Sequence, residues 1–205
     1  MTAPLPTEPV RVVLASHNPH KLVELRRVLG GALDGIELVS YDGPEPAETG
    51  TRFEENALIK ARAAAAHTGL PAIADDSGIC VDVMGGAPGI FSARWSGPAK
   101  DARENLELLL WQLSDVAPEH RGAHFTASAA YAMPDGRELA VRGEWPGSIL
   151  EERRGEHGFG YDPIFRPEGE ERSAAELSDA EKDASSHRRR AFDALMPKLR
   201  EALGL

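Results

Sequence analysis

Five short stretches of the chain hold residue types that could do chemistry together. The first is Ser16-His17-Asn18-Pro19-His20-Lys21. It follows an apolar, β-branched run over residues 10–15 that reads as a buried strand. It precedes a helical pattern with Leu22, Leu25, Val28, Leu29 and Leu33 on one face. A helix N-terminus offers free N–H groups and partial positive charge, which suit an anion. Lys21 falls in that first turn, where the dipole disfavours a cation and a bound anion would relieve it. The plainer alternative is an Asn18 cap, Pro19 at the first helical position and a solvated lysine.

Asp75-Asp76-Ser77 is the second stretch, at the end of the apolar strand 71–74. Two neighbouring carboxylates repel, and on a strand they alternate between faces, so one at most is expected to face a site. Mg2+ takes one or two carboxylates plus substrate phosphate oxygens. Glu48, in the loop before the second helix, and Glu55, on that helix, are further candidate ligands. Against this stands the reading of Asp and Ser-Gly as turn formers. Lys60 is the third candidate, near the helical face of Glu55 and Asn56, and is otherwise a solvated lysine. Phe159-Gly160-Tyr161-Asp162 combines two aromatics, a small residue and a carboxylate. Such a loop can stack on a base and meet its polar edge, or it is a core turn. Lys182, His187 and Arg188 close the set. On one continuous helix Lys182 and Arg188 would not share a face, so they would serve different ends of a ligand or form a solvated basic face.

The elements that must position these groups alternate between strand and helix. Residues 36–41 read as a second strand. Thr51 and Glu54 have capping-box spacing and open a helix rich in alanine, stopped by Gly69 and Pro71. Residues 79–97 read as short strands and glycine turns, and 102–114 as a helix with Leu106, Leu109, Leu110 and Leu113 on one face. Residues 123–133 and 138–145 flank Pro134-Asp135-Gly136, a hairpin signal. Ser178 and Glu181 form a second capping box, opening a last helix towards Leu203. Helix-linked strands together with a hairpin predict an α/β fold on a mixed sheet. The domain reading is a Pro-rich lead-in over 1–9 and a single domain over 10–205.

Charge narrows the function. The 205 residues carry 23 Lys and Arg against 33 Asp and Glu, a net charge of −10. That balance does not suit a long phosphodiester backbone, so no nucleic-acid partner is expected. A single phosphorylated small molecule is compatible, because a few local cations or a metal can serve it. One cysteine, Cys80, excludes an intrachain disulfide. No apolar run is long enough to span a bilayer, and the opening MTAPLPTEP has no basic-then-apolar leader. A cytoplasmic setting is the expectation.

Taken together, the stretches LASHNPHKLVEL, ETGTRFEENALIKA, PAIADDSGICVDVMGGAPGIFSARWSG, GFGYDPIF and AELSDAEKDASSHRRRA resemble the inosine triphosphate pyrophosphatases, which hydrolyse non-standard purine nucleoside triphosphates. They run from Leu14 to Ala191 in the family's order. The resemblance implies an elongated mixed sheet flanked by helices, two lobes with a central cleft, and a homodimer. It implies that Ser16, His17, Asn18, Pro19, His20 and Lys21 form the triphosphate turn, and that Lys60 binds phosphate. It makes Asp76 the catalytic residue and, with Glu48, a ligand of Mg2+, and Ser77 a substrate contact. Phe159, Gly160, Tyr161 and Asp162 become the nucleoside loop, and Lys182, His187 and Arg188 the contacts to the purine edge. Arg94 becomes a neighbour of the site. His17 and His20 depart from the small residues common in the family.

The implied activity is Mg2+-dependent hydrolysis of ITP, dITP or XTP to the monophosphate and pyrophosphate. A donor near purine O6 would favour a 6-keto base, because adenine's amino group would leave it unpaired. Two other readings stay open: a nucleotide-binding module without catalysis, and a Maf-like pyrophosphatase for other nucleotides.

Overall fold

The computed structural model describes residues 8–17 and 19–205, without the side chains of 19–21 and 24. The expectations for the start of the lead-in, for Asn18 and for the side chains of Pro19, His20 and Lys21 lie outside the described residues. Six strands form one mixed sheet in the order β2-β1-β3-β4-β5-β6. They are β1 (Val10–Leu14), β2 (Ile36–Ser40), β3 (Ala72–Val81), β4 (Gly122–Ala132), β5 (Glu138–Ile149) and β6 (Phe165–Pro167). β1 pairs in parallel with β2 and β3, whereas β5 and β6 are antiparallel. The helices are α1 (Pro19–Leu29), α2 (Phe53–Thr68), α3 (Ala102–Gln112), α4 (Asp179–Ser185) and α5 (His187–Leu203). Among the described residues no helix is long and apolar enough to cross a membrane.

Two compact units share the chain. The first takes the described part of Met1–Asp76 with Ser128–Gly143 and Arg189–Leu205. Its core is built from small side chains. Ala57, Ala61, Ala64 and Ala65 of α2 pack with Ala72 and Ala74 of β3, Ala130 and Ala132 of β4, Val13 and Tyr41. Alanines at helical spacing let α2 lie close to the strands, which brings its longer polar side chains within reach of β3. The second unit takes Ser77–Ala127 and Glu144–Arg188. Its core is large and aromatic: Phe125, Trp145, Tyr161 and Phe165 pack with Leu106, Leu109 and Leu113 of α3. Phe125 meets Phe165 edge to face at 4.7 Å between centroids, a favoured ring geometry.

Three elements differ from the expectation. β3 does not end before the acidic pair but runs on through Asp75, Asp76, Ser77 and Gly78 to Val81. Residues 82–94 form 3-10 turns over Asp82–Met84 and Gly89–Arg94 rather than strands. The last helix is broken: Ser178 and Glu181 do form the capping box of α4, but Ser186 is extended, at φ −64° and ψ 159°, before α5 begins.

Candidate functional site

In the first unit β1 ends at the loop that holds Ser16 and His17. A cavity of about 380 Å3 opens there, lined by Ala15, Ser16, His17, Tyr41, Glu45, Pro46, Glu48, Lys60 and Asp75. The loop over residues 42–50 is tied down at three points. His17 Nε2–H donates to Gly43 O at 2.7 Å, Tyr41 O–H donates to Pro44 O at 2.9 Å, and Gly50 N–H donates to Asn56 Oδ1 at 2.9 Å. The loop therefore presents Glu48 in a fixed place. Glu48 Oε1 lies 2.6 Å from Lys60 Nζ, and Asp76 Oδ1 lies 3.3 Å from the same nitrogen.

Lys60 and Asp76 are each only 13% exposed in their side chains. Burial alone would push the Lys60 ammonium down, but the charges of Asp76, Asp75 and Glu48 overcome it and hold the group above its ordinary value. Burial pushes the Asp76 carboxyl up and Glu48 adds to this, while Lys60 and Asn56 pull back only in part. Both acids of the pair thus act on one ammonium, Asp76 by contact and Asp75 through its field. Among the described cavity residues Lys60 is the one lysine or arginine. Three nearby carboxylates outnumber it.

Glu55 is turned elsewhere. Its Oε2 accepts from Thr51 N–H at 2.7 Å and from Thr51 Oγ at 3.1 Å, which closes the N-terminus of α2. The expected partner, Glu54, pairs instead with Arg142 at 2.8 Å. Helix α2 starts at Phe53 rather than Thr51, so the reciprocal contact is displaced by one residue.

The second unit gathers the aromatic loop and the basic segment. Gly158 has φ +75°, and a Cβ there would collide with Asp162 Oδ2. Asp162 is 2% exposed. Its Oδ2 accepts from Phe159 N–H at 2.8 Å and from Lys182 Nζ. Lys182 Nζ also sits 4.8 Å from the centre of the Phe159 ring, and Arg188 Cζ 5.9 Å from it. The break at Ser186 brings together two cations that a continuous helix would have parted. Phe159 stays 60% exposed while these cations hold its ring. Tyr161 is spent inside the core, where its hydroxyl donates to Ser92 O at 2.8 Å. His187 is also buried, stacked on Phe125 at 4.8 Å. Ser77 follows Asp76 on β3, half-buried, and Arg94 lies over the Phe91 ring.

The family model described as the Ham1 family matches residues 12–198. The chain belongs to the Ham1 family. A relative described as the dITP/XTP pyrophosphatase of Leifsonia xyli subsp. xyli is 60% identical over 191 residues, 93% of this chain and 96% of that protein. Among solved structures, the nucleoside-triphosphatase / dITP/XTP pyrophosphatase from Mycobacterium abscessus is 52% identical with a TM-score of 0.76, over 92% of this chain and 100% of that one. A HAM1 protein from Coxiella burnetii is 41% identical with a TM-score of 0.85, over 94% and 99%. Asn56, with contacts to both Gly50 and Asp76, entered the sequence reading of this Ham1 chain only as a neighbour of Lys60 and was given no role there. Its spacing of four from Lys60 was the available signal.

Proposed function

We propose that this chain is a nucleoside triphosphate pyrophosphatase acting on dITP, ITP and XTP with Mg2+. The observation that carries the reading is the cluster of Glu48, Lys60 and Asp76 beside a cavity at the end of β1. A triphosphate brings about four negative charges. Among the described residues Glu48, Asp75 and Asp76 surround a single ammonium, so a divalent cation would supply positive charge that the phosphates need. The donor set fits an ion that arrives with its nucleotide. Among the described residues no three His, Cys, Asp or Glu side chains are grouped as ligands, and Mg2+ needs only one or two carboxylates when phosphate oxygens complete its shell. Glu48 and Asp76 would hold it, with Glu55 committed to Thr51. The ion supplies charge neutralisation to the phosphates and the leaving pyrophosphate.

The chain's own groups do the rest. Asp76 takes the proton of the attacking water, with its two carboxylate oxygens oriented by Asn56 and Lys60. Lys60 transfers its charge from the carboxylates to the phosphates. In the second unit, Phe159 offers the purine an exposed ring, and Lys182 and Arg188 supply donors for a 6-keto oxygen. Replacing Phe159 by Ala is expected to raise KM for dITP about tenfold with little change in kcat, since base stacking contributes about 1–3 kcal/mol. An unchanged KM would remove the ring from the binding surface.

The deciding experiment is pyrophosphate release from dITP, ITP, XTP, ATP, dTTP and UTP, with Mg2+ and then with a chelator. Turnover of the first three, at least about a hundredfold above ATP and abolished by chelation, is expected. No release from any nucleotide identifies a binding module. Preference for dTTP or UTP identifies the Maf-like alternative.

A further inference from the structure

From the contacts of its side-chain amide, we infer that Asn56 is a positioning residue: it fixes the Asp76 carboxylate and ties it to the loop that bears Glu48. This rests on the reading of Asp76 as the catalytic carboxylate. Asn56 is 1% exposed, so each polar atom of its side chain needs a partner. Oδ1 accepts from Gly50 N–H at 2.9 Å, and Nδ2 donates to Asp76 Oδ2 at 3.2 Å. The orientation follows from chemistry. A backbone N–H can only donate, so it must face Oδ1, and Nδ2 is left for Asp76.

Lys60 Nζ donates to the other Asp76 oxygen at 3.3 Å. One turn of α2 thus supplies a separate donor to each oxygen of the carboxylate. Rotation of that carboxylate would break one contact or the other. The same amide holds Gly50, two residues beyond Glu48, against the helix. Gly50 permits this approach by having no side chain: a Cβ there would lie 2.6 Å from Asn56 Oδ1 and 2.6 Å from Glu55 Cβ. One carboxamide therefore sets the place of both carboxylates around Lys60. Aspartate at position 56 would keep the acceptor for Gly50 but oppose Asp76 with a like charge. Alanine would keep neither contact.

The test compares Asn56→Asp, Asn56→Ala, Gly50→Ala and Asp76→Asn. It measures kcat and KM for dITP with Mg2+, and hydrogen exchange of the Gly50 amide in the nucleotide-free, metal-free protein. Asn56→Asp is expected to retain Gly50 protection yet lose about 10–100-fold in kcat, with KM within about threefold. Asn56→Ala is expected to lose both protection and turnover. Gly50→Ala, which touches no reacting group, is expected to lower kcat in the same direction by displacing the amide. Wild-type kcat in folded Asn56→Asp overturns the inference, because a merely structural asparagine predicts that result. If Asn56→Asp does not fold, Gly50→Ala decides, and an unchanged kcat there overturns it. Full turnover in Asp76→Asn overturns the reading of the site and this inference together. Loss of turnover in Asp76→Asn alone overturns only the inference.

Discussion

Asp76→Asn is expected to lower turnover of dITP by about a thousandfold while leaving the fold intact. The substitution is nearly isosteric. It removes the proton acceptor and one of the two carboxylates proposed for Mg2+. Its effect on stability runs the other way from its effect on catalysis. In the folded chain the Asp76 carboxyl titrates above its ordinary range, because burial and Glu48 outweigh Lys60 and Asn56. A raised native value means that the folded state binds the proton more tightly than the unfolded one. The contribution of Asp76 to stability is therefore best at low pH and declines as pH rises through its folded-state value. At neutral pH the ionised group is a cost that asparagine does not carry. Against this, Lys60 loses one anionic partner but keeps Glu48 at 2.6 Å. The melting temperature is expected to stay within about 4 °C of wild type, about 1–2 kcal/mol. Steady-state pyrophosphate release and a thermal melt measure the two effects. Turnover within tenfold of wild type would remove Asp76 from the chemistry.

Such a carboxylate marks where local sequence rules were always going to fail. Asp, Ser and Gly are poor strand formers, so β3 reads from sequence as stopping at Ala74. It continues because Ala72, Ile73 and Ala74 are fixed in the first unit's core and Ile79 and Val81 in the second's. The four residues between are held extended by what anchors them at each side. Tertiary packing overrides propensity here, and the acidic pair is carried on a rigid strand rather than a turn. The strand–turn–helix opening, the helix α2 with its Gly69 stop and the Pro134-Asp135-Gly136 hairpin were legible because each rests on periodicity, propensity or turn chemistry that acts locally.

The pieces of the site divide in the same way. The residue types were readable: carboxylates, a lysine, aromatic rings and basic groups in short stretches. Their partners were not. Glu55 and Glu54 are chemically alike, and a one-residue difference in the start of α2 decided which one closes the helix and which one pairs with Arg142. On an unbroken helix Lys182 and Arg188 would serve different ends of a ligand or form a solvated basic face. The extended backbone at Ser186 sets both over Phe159. Tyr161 and Phe159 are both aromatic, but only a three-dimensional structure tells that one is 5% exposed and the other 60%.

Lys60→Met is expected to be the most damaging single change in the first unit, because it harms both folding and catalysis. Methionine fills much of the lysine's volume, so the effect isolates the charge. Without the ammonium, Glu48 and Asp76 face each other and the nearby Asp75 with no cation between them among the described residues. Breaking a buried ion pair on one side costs about 3–5 kcal/mol, here about 10 °C in melting temperature at pH 7. The sign of the pH dependence follows. With the cation gone, the folded-state value of Asp76 rises further, so the penalty is present above that value and shrinks as pH falls through it. The gap between variant and wild type should therefore narrow as the pH is lowered. Millimolar Mg2+ should raise the melting temperature of Lys60→Met more than that of wild type, because the ion restores the missing charge between Glu48 and Asp76. Turnover should nevertheless stay low, since the ion cannot replace a donor to the phosphates. A variant that melts within about 2 °C of wild type at pH 7, with no response to Mg2+, would mean that these carboxylates do not share the charge of Lys60.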